Sequence, residues 1–283
     1  MATYNRAYVI EQSINSIRAQ TYPHWELVLM DDGSTDNTAQ VVRAINDPRI
    51  KYHHQPNAGP QVGRNHALEL TTGEWITYLD SDDAFRPLYL ATMLAHFHAQ
   101  PRATFGSPKL HFVVELYKDS KLIANHDKTN IFPDHLTLQD IYYHECPFYT
   151  GGFMHQRWLF EKGARFDPNL PGKEDWDLVM QMGELDPNGY LYVPEVLIDY
   201  YQRYGADARS QTSYAVRADK LEAIWRKHRF DRLMRGQTWY PAEAEAWRDL
   251  ERKLQAGQVP PPHLFEFPEL WPKTAQPVYN RPL

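Results

Sequence analysis

Leu27-Val28-Leu29-Met30-Asp31-Asp32-Gly33-Ser34 and Trp75-Ile76-Thr77-Tyr78-Leu79-Asp80-Ser81-Asp82-Asp83 decide how this chain folds. Each is a short apolar run, the pattern of a buried strand, that ends abruptly in acids. In open α/β sheets ligands bind just beyond the carboxyl ends of the strands, where these acids fall. Carboxylates gathered there repel one another unless a cation or a donor-rich ligand lies between them. The two clusters together predict a metal-assisted site for a phosphorylated ligand.

The surrounding sequence fits that frame. Residues 7–20 read as a helix with Ile10, Ile14 and Ile17 on one face, broken by Thr21-Tyr22-Pro23. A strand over 25–30 leads into the first acidic turn. Asp36 or Thr35 can cap the next helix, which carries Val41, Val42 and Ile45. Residues 49–54 have strand character, and Asn57-Ala58-Gly59-Pro60 turns the chain into a helix reaching about Leu70. Thr71-Thr72-Gly73 ends it, strand 74–79 follows, and a helix over 87–100 completes the half. Strands alternating with helices predict a mostly parallel sheet with helices on both faces.

After Pro101 the pattern changes. Short β-like runs such as 110–117 mix with polar turns, 157–163 and 175–185 look helical, and 191–201 reads as a strand. Helices are predicted over 213–230 and 241–256, before a Pro-rich, aromatic tail from Val259. The expected organisation is one half over 1–103, a second half of the same domain over 104–212, and a helical, Pro-rich extension over 213–283.

Composition narrows the function. The chain has 283 residues and a formal charge of −6, from 36 acidic and 30 basic side chains. That balance disfavours a general nucleic-acid binder. The one cysteine, Cys146, cannot form an internal disulfide. No apolar run is long enough to span a bilayer, and the first residues lack a signal-peptide core. A cytoplasmic protein is the default expectation, with peripheral contact at the inner membrane face left open.

Taken singly, most candidate site residues have a bland alternative. An isolated Asp-x-Asp such as Asp80-Ser81-Asp82 is usually a solvated, helix-capping turn. Asp31-Asp32-Gly33-Ser34 is equally an Asp-rich turn or a contact for a nucleobase or ribose. Arg64 can pair with Asp32 and shape a base pocket, or be a surface arginine. Glu174-Asp175 can be acids that favour a helix N-terminus. Trp176 can stack on a sugar or fill a core. Position at strand ends, within one half of the chain, tips Asp80 and Asp82 toward Mg²⁺ or Mn²⁺, hard ions that take carboxylate and diphosphate oxygens.

In order along the chain, Thr3-Tyr4-Asn5-Arg6, Gln20-Thr21-Tyr22, Asp31 to Asp36, Asn57-Ala58-Gly59…Gly63-Arg64-Asn65 and Gly73 to Asp83 resemble family 2 glycosyltransferases of the GT-A fold. The likeness is dense over about 3–100 and looser over 148–210. It implies a Rossmann-like sheet, a nucleotide-sugar donor, a glycan or lipid-linked acceptor, and a Mn²⁺ or Mg²⁺ cofactor. Thr3, Tyr4 and Asp32 would line the base pocket with Arg64 in support, and Asn5, Arg6, Asn57 and Ser81 belong to the same nucleotide-binding set. Asp80 would touch ribose or metal, and Asp82 would ligate the ion. Gly172-Lys173-Glu174-Asp175 resembles the segment carrying the family's catalytic base, here Asp175, with Glu174 as the competing candidate. Gly151 and Gly152 fall where donor and acceptor approach the backbone. Trp176, Arg203 and Arg209 are candidates for acceptor stacking and diphosphate clamping. Tyr204 stands where many members carry a histidine.

The family opens with an apolar strand ahead of the Thr-Tyr-Asn-Arg segment, and only Met1-Ala2 stands there in this sequence. The expectation is a start assigned at an internal methionine, with the first strand missing. Two rivals to a glycosyltransferase are a sugar-nucleotide nucleotidyltransferase and a non-catalytic nucleotide-sugar-binding fragment. The first would need a Gly-rich phosphate loop that Thr3-Tyr4-Asn5-Arg6 is not.

Overall fold

The computed structural model describes residues 1–118, 121–128, 134–142, 149–170 and 172–204, with separate positions between 219 and 256. The tail from Val259 and Arg209 lie outside the described residues, as do most of the two helices expected over 213–230 and 241–256. The chain divides into two compact units: Met1–His111, Thr129–Asn169 and Glu174–Tyr200 form one, and Phe112–Lys128, Leu170–Lys173 and Tyr201–Leu283 the other.

The elements run β1 (Ala2–Thr3), α1 (Ile10–Arg18), β2 (Leu27–Asp31), α2 (Thr38–Ala44), β3 (Ile50–His54), α3 (Pro60–Leu70), β4 (Trp75–Thr77), β5 (Ala84–Phe85) and α4 (Tyr89–Ala99). Then come β6 (Phe105–Lys118), β7 (Lys121–Lys128), α5 (Leu138–Tyr142), β8 (Met154–Gln156), α6 (Arg157–Glu161), α7 (Glu174–Leu185) and β9 (Tyr190–Tyr204). In α1 the expected stripe of Ile10, Ile14 and Ile17 is buried. Every residue of β2 is buried, which is why its apolar run shows no alternation. Gly59, at φ 95°, turns the chain into α3, and Pro60 opens that helix where a missing N–H costs nothing.

In the first unit β1, β2 and β3 form a parallel sheet, with Ala2 opposite Met30 and Leu27 opposite Ile50. A second sheet runs β4–β8–β6–β9–β5, with β7 paired to β6. Its registered pairs are antiparallel. The architecture is α/β with a mixed sheet, less parallel than the sequence predicts. The physical reason is connection: parallel neighbours need crossover helices, which stop after α4, whereas the later strands fold back on those already laid down.

A buried polar pair sits beneath the strand ends. His155 is fully buried, and its Nδ1–H donates to the Gln156 carbonyl at 2.8 Å. That fixes Nε2 as the acceptor for the Tyr78 hydroxyl, also at 2.8 Å. Burial pushes the imidazole pKa down to about 4.

The second unit contains the β6–β7 hairpin, registered from Phe112 opposite Lys128 to Lys118 opposite Lys121, with Val114 and Leu116 packed against Ala124. Beside it Arg203 Nε lies 3.0 Å from the Glu115 carboxylate, which also accepts from the Tyr117 hydroxyl. Among the described residues no helix is long and apolar enough to cross a membrane.

Candidate active site

The two acids of the first cluster do different work. Asp31 is fully buried and ties the turn, accepting from Ser34 N at 2.8 Å and from the Tyr52 hydroxyl at 2.6 Å. Burial and then the Asp31 carboxylate hold the Tyr52 phenol above its usual pKa. Asp32 turns the other way. Its Oδ1 accepts from Gln55 Nε2 (2.7 Å) and Ala58 N (2.9 Å), and its Oδ2 from Gly59 N (2.8 Å). Asn57 Nδ2 donates to the Asp32 carbonyl at 2.9 Å. A carboxylate has about four acceptor positions, so three donors leave one at Oδ2. Gly33 sits at φ 81°, and a Cβ there would lie 2.7 Å from Asn57 N. Only glycine lets the two turns approach so closely.

The N-terminal segment is tied onto this cluster. Asn5 adopts φ 52°, its N–H donates to Ser34 Oγ, and its Oδ1 accepts from Thr35 N at 2.8 Å. Arg6 N donates to Thr38 Oγ1, and Arg6 Nε lies 3.6 Å from Asp82 Oδ2. Thr3 is buried and its carbonyl accepts from Asp32 N. Thr3, Asn5, Arg6, Asp32 and Asn57 are thus brought together, with Asp82 reached through Arg6.

Arg64 is the other junction. The expected partner is Asp32; the structure gives Asp80 and Glu174 instead. Nη2 donates to Asp80 Oδ1 at 2.7 Å and Nη1 to Glu174 Oε1 at 3.1 Å. The guanidinium also lies over the Phe166 ring, 5.3 Å from its centroid. Burial works against the charge, but the two carboxylates outweigh it and raise the guanidinium above its usual pKa. Asn65 secures the same loop, exchanging two hydrogen bonds with the Phe166 backbone. A helix face alone cannot say which acid an arginine will meet.

The second cluster gathers negative charge. The Tyr200 hydroxyl is held well above its usual pKa by burial first, and then by Asp83, Tyr149, Asp80 and Asp82. Among the described residues no three metal-ligating side chains form a cage. Asp80 and Asp82 nevertheless fit a hard divalent ion that draws its other oxygens from a diphosphate and water. Asp82, with its side chain 32% exposed, is the more open of the two.

Glu174 and Asp175 begin α7 together with Asp177, acids at the positive end of the helix. Glu174 is engaged by Arg64, and the half-buried Asp175 accepts from Trp176 N at 2.8 Å. Gly152, at φ 78°, donates its N–H to the Tyr78 carbonyl, and a Cβ there would lie 1.6 Å from Ile198 Cδ1. A Cβ on Gly151 would meet Asp83 Oδ2 at 3.4 Å, so this turn flanks the acids. Trp176 needs correction: it is 4% exposed and its indole N–H donates to the Ile141 carbonyl at 2.8 Å. It is a core residue with no ring face for a sugar. Arg203, in the second unit, is paired with Glu115 and lies over the Tyr201 ring. Of Tyr204 only the backbone is described.

The glycosyl transferase family 2 model matches residues 1–160. The chain belongs to this family. A putative colanic acid biosynthesis glycosyl transferase of Escherichia coli (strain K12), WcaA, is 42% identical over 99 residues, 34% of this chain and 36% of that protein. The match thus spans about a third of that relative's length. Among solved structures, S. aureus TarS superposes with a TM-score of 0.60 at 19% identity, covering 94% of this chain and 43% of that one. The mannosyltransferase PcManGT from Pyrobaculum calidifontis, in complex with GDP-Man and Mn²⁺, gives 0.59 at 19%, covering 88% and 67%. These likenesses establish the GT-A fold.

Gln55 and Phe166 contact the candidate residues Asp32 and Arg64, Tyr200 lies near the second acidic cluster, and the sequence singles out none of the three. Gln55 follows β3 directly, at the strand-end crevice where open α/β sheets bind ligands. Tyr200 lies more than a hundred residues from the acids it faces, and nothing in its local sequence marks it.

Proposed function

We propose that this domain transfers a sugar from a nucleoside diphosphate donor, uridine diphosphate by preference, to a hydroxyl of a glycan, lipid-linked or surface-polysaccharide acceptor, with inversion. The observation that carries the reading is Arg64, whose one guanidinium holds Asp80 of the donor side and Glu174 beside Asp175. That contact supports the reading of a base beside a diphosphate site, which a single displacement requires.

In this reading Asp32, preset by Gln55 and the Ala58 and Gly59 amides, offers its remaining acceptor position to a ring N–H of the base. Uracil carries such a donor and cytosine does not. Thr3, Tyr4, Asn5, Arg6, Asn57 and Ser81 complete the nucleotide-binding set. Asp82, with Asp80, would hold Mn²⁺ or Mg²⁺, which when bound offsets the charge that develops on the diphosphate. Asp175 accepts the proton of the acceptor hydroxyl as its oxygen bonds to the anomeric carbon and the bond to the diphosphate breaks. Glu174, bound to Arg64, is a positioning residue.

The test is a panel of nucleotide sugars with Mn²⁺ or Mg²⁺ and a glycan acceptor. Asp82→Ala should lose metal-dependent donor binding. Asp175→Asn should keep donor binding and lose roughly 10²–10⁴-fold in transfer, the usual weight of a general base. Full transfer by Asp175→Asn rejects the assigned base.

A further inference from the structure

The helix that carries Arg64 carries a second polar side chain turned another way. His66 lies two positions on, about 200° round α3, so it does not face the partners of Arg64. It is exposed, and its Nδ1 lies 2.6 Å from Gln55 Oε1. The other end of the same amide, Gln55 Nε2, lies 2.7 Å from Asp32 Oδ1. One glutamine therefore bridges an imidazole and the carboxylate of the candidate base pocket.

Packing explains why the three meet. Gly63 is buried, and a Cβ there would already touch Met30 Cγ at 3.8 Å and Asp32 Cβ at 3.9 Å, so α3 lies close against the end of β2. Gln55 follows β3, and its N–H extends the ladder by donating to the Asp31 carbonyl at 2.9 Å. Helix and strand end are both fixed, and the Gln55 side chain spans the space between them.

The polarity of the bridge follows from the carboxylate. Ala58 N donates to Asp32 Oδ1 and Gly59 N to Oδ2, so both oxygens act as acceptors. Gln55 must then present its NH₂ to Oδ1, because an amide oxygen there would set two acceptors against each other. The amide oxygen is left for His66, and Nδ1 must carry a proton to donate to it. Donation thus runs one way, from His66 to Gln55 to Asp32. An amide that turns over reverses the chain at both ends, so the proton on the imidazole and the acceptor character of Asp32 are set together.

We propose that His66 is a positioning residue for the nucleobase. By donating from Nδ1 it locks the Gln55 amide so that Asp32 stays an acceptor, which favours a base with a ring N–H over one without. The inference rests on the reading of Asp32 as the base contact. It sets which nucleotide is taken, and leaves the sugar and the diphosphate alone.

The test is an isosteric pair in the full chain. Asparagine at position 66 can place an N–H where Nδ1 stands, whereas aspartate places only acceptors there. The two are alike in size and helix propensity, so a merely structural role would not separate them. His66→Asp demands the Gln55 NH₂ and turns the amide oxygen toward Asp32. Calorimetry with uridine diphosphate and cytidine diphosphate in Mg²⁺ reads the result. Taking the ratio of the two affinities cancels the general repulsion that a new carboxylate exerts on any diphosphate. The ratio should fall by about tenfold in His66→Asp, the weight of one hydrogen bond to a charged group, and stay within about twofold in His66→Asn. Long-range proton–nitrogen NMR correlations in the free native chain should show a proton on His66 Nδ1. An equal ratio in the two variants, or a ring protonated on Nε2 alone, overturns the relay and leaves the base pocket standing. Equal affinity of the native chain for the two nucleotides overturns the reading of Asp32 itself, and the role of His66 falls with it.

Discussion

Arg64→Met tests the junction on which the site depends. The substitution keeps an unbranched stem of similar length and removes the guanidinium between Asp80 and Glu174. Breaking a fully buried ion pair by deleting one partner costs about 3–5 kcal/mol. Here the Arg64 side chain is only 12% exposed, but its partners are 29% and 19% exposed, so water screens the two carboxylates left behind. That discount brings the expected loss to about 2–3 kcal/mol. For a domain of this size it lowers Tm by roughly 5–10 °C. Urea unfolding of the native chain, Arg64→Met, Glu174→Gln and the double variant closes a thermodynamic cycle. Coupling of about 1–2 kcal/mol between Arg64 and Glu174 is expected for groups in direct contact. Strict additivity, or a loss below about 0.5 kcal/mol for Arg64→Met, would refute the shared guanidinium.

Acid should weaken the fold through His155. Its pKa is lowered to about 4 in the native state against a usual 6.5, so the unfolded chain binds more protons between those values. Stability therefore falls as pH drops from 6.5 through 4, by about 3 kcal/mol, and His155→Gln should flatten that window in pH-dependent urea melts. Gly33→Ala, which forces a Cβ toward Asn57 N at φ 81°, should cost about 2 kcal/mol or more and weaken uridine diphosphate binding by calorimetry. Trp176→Phe should lower Tm without changing acceptor KM, since the indole is bonded inside the core.

The first hundred residues were readable because each element there announces itself. The apolar run of β2 is buried on every side chain, and α3 starts at Gly59-Pro60 where turn chemistry requires. The acids at the strand ends follow from the same logic, since a buried strand cannot end in paired aspartates without a reason outside the sheet. Contacts between distant segments were not readable. β5 is two residues long and exists only because Ala84 and Phe85 meet Asp199 and Ile198. Arg64 meets Asp80 and Glu174 rather than Asp32, whose carboxylate takes three donors from Gln55 and two loop amides that local sequence does not reveal. Trp176 reads alike as sugar platform or core filler, and only the neighbouring Ile141 carbonyl decides between them.

The shared guanidinium also has a history within each act of synthesis. Arg64 and Glu174 are separated by 110 positions. At about 5–20 residues per second, a nascent chain carries Arg64 for roughly 5–20 s before Glu174 is made. Asp80 is made within the first few seconds of that interval, so of the three charges Glu174 comes last. The full junction therefore closes only after the chain has passed Glu174.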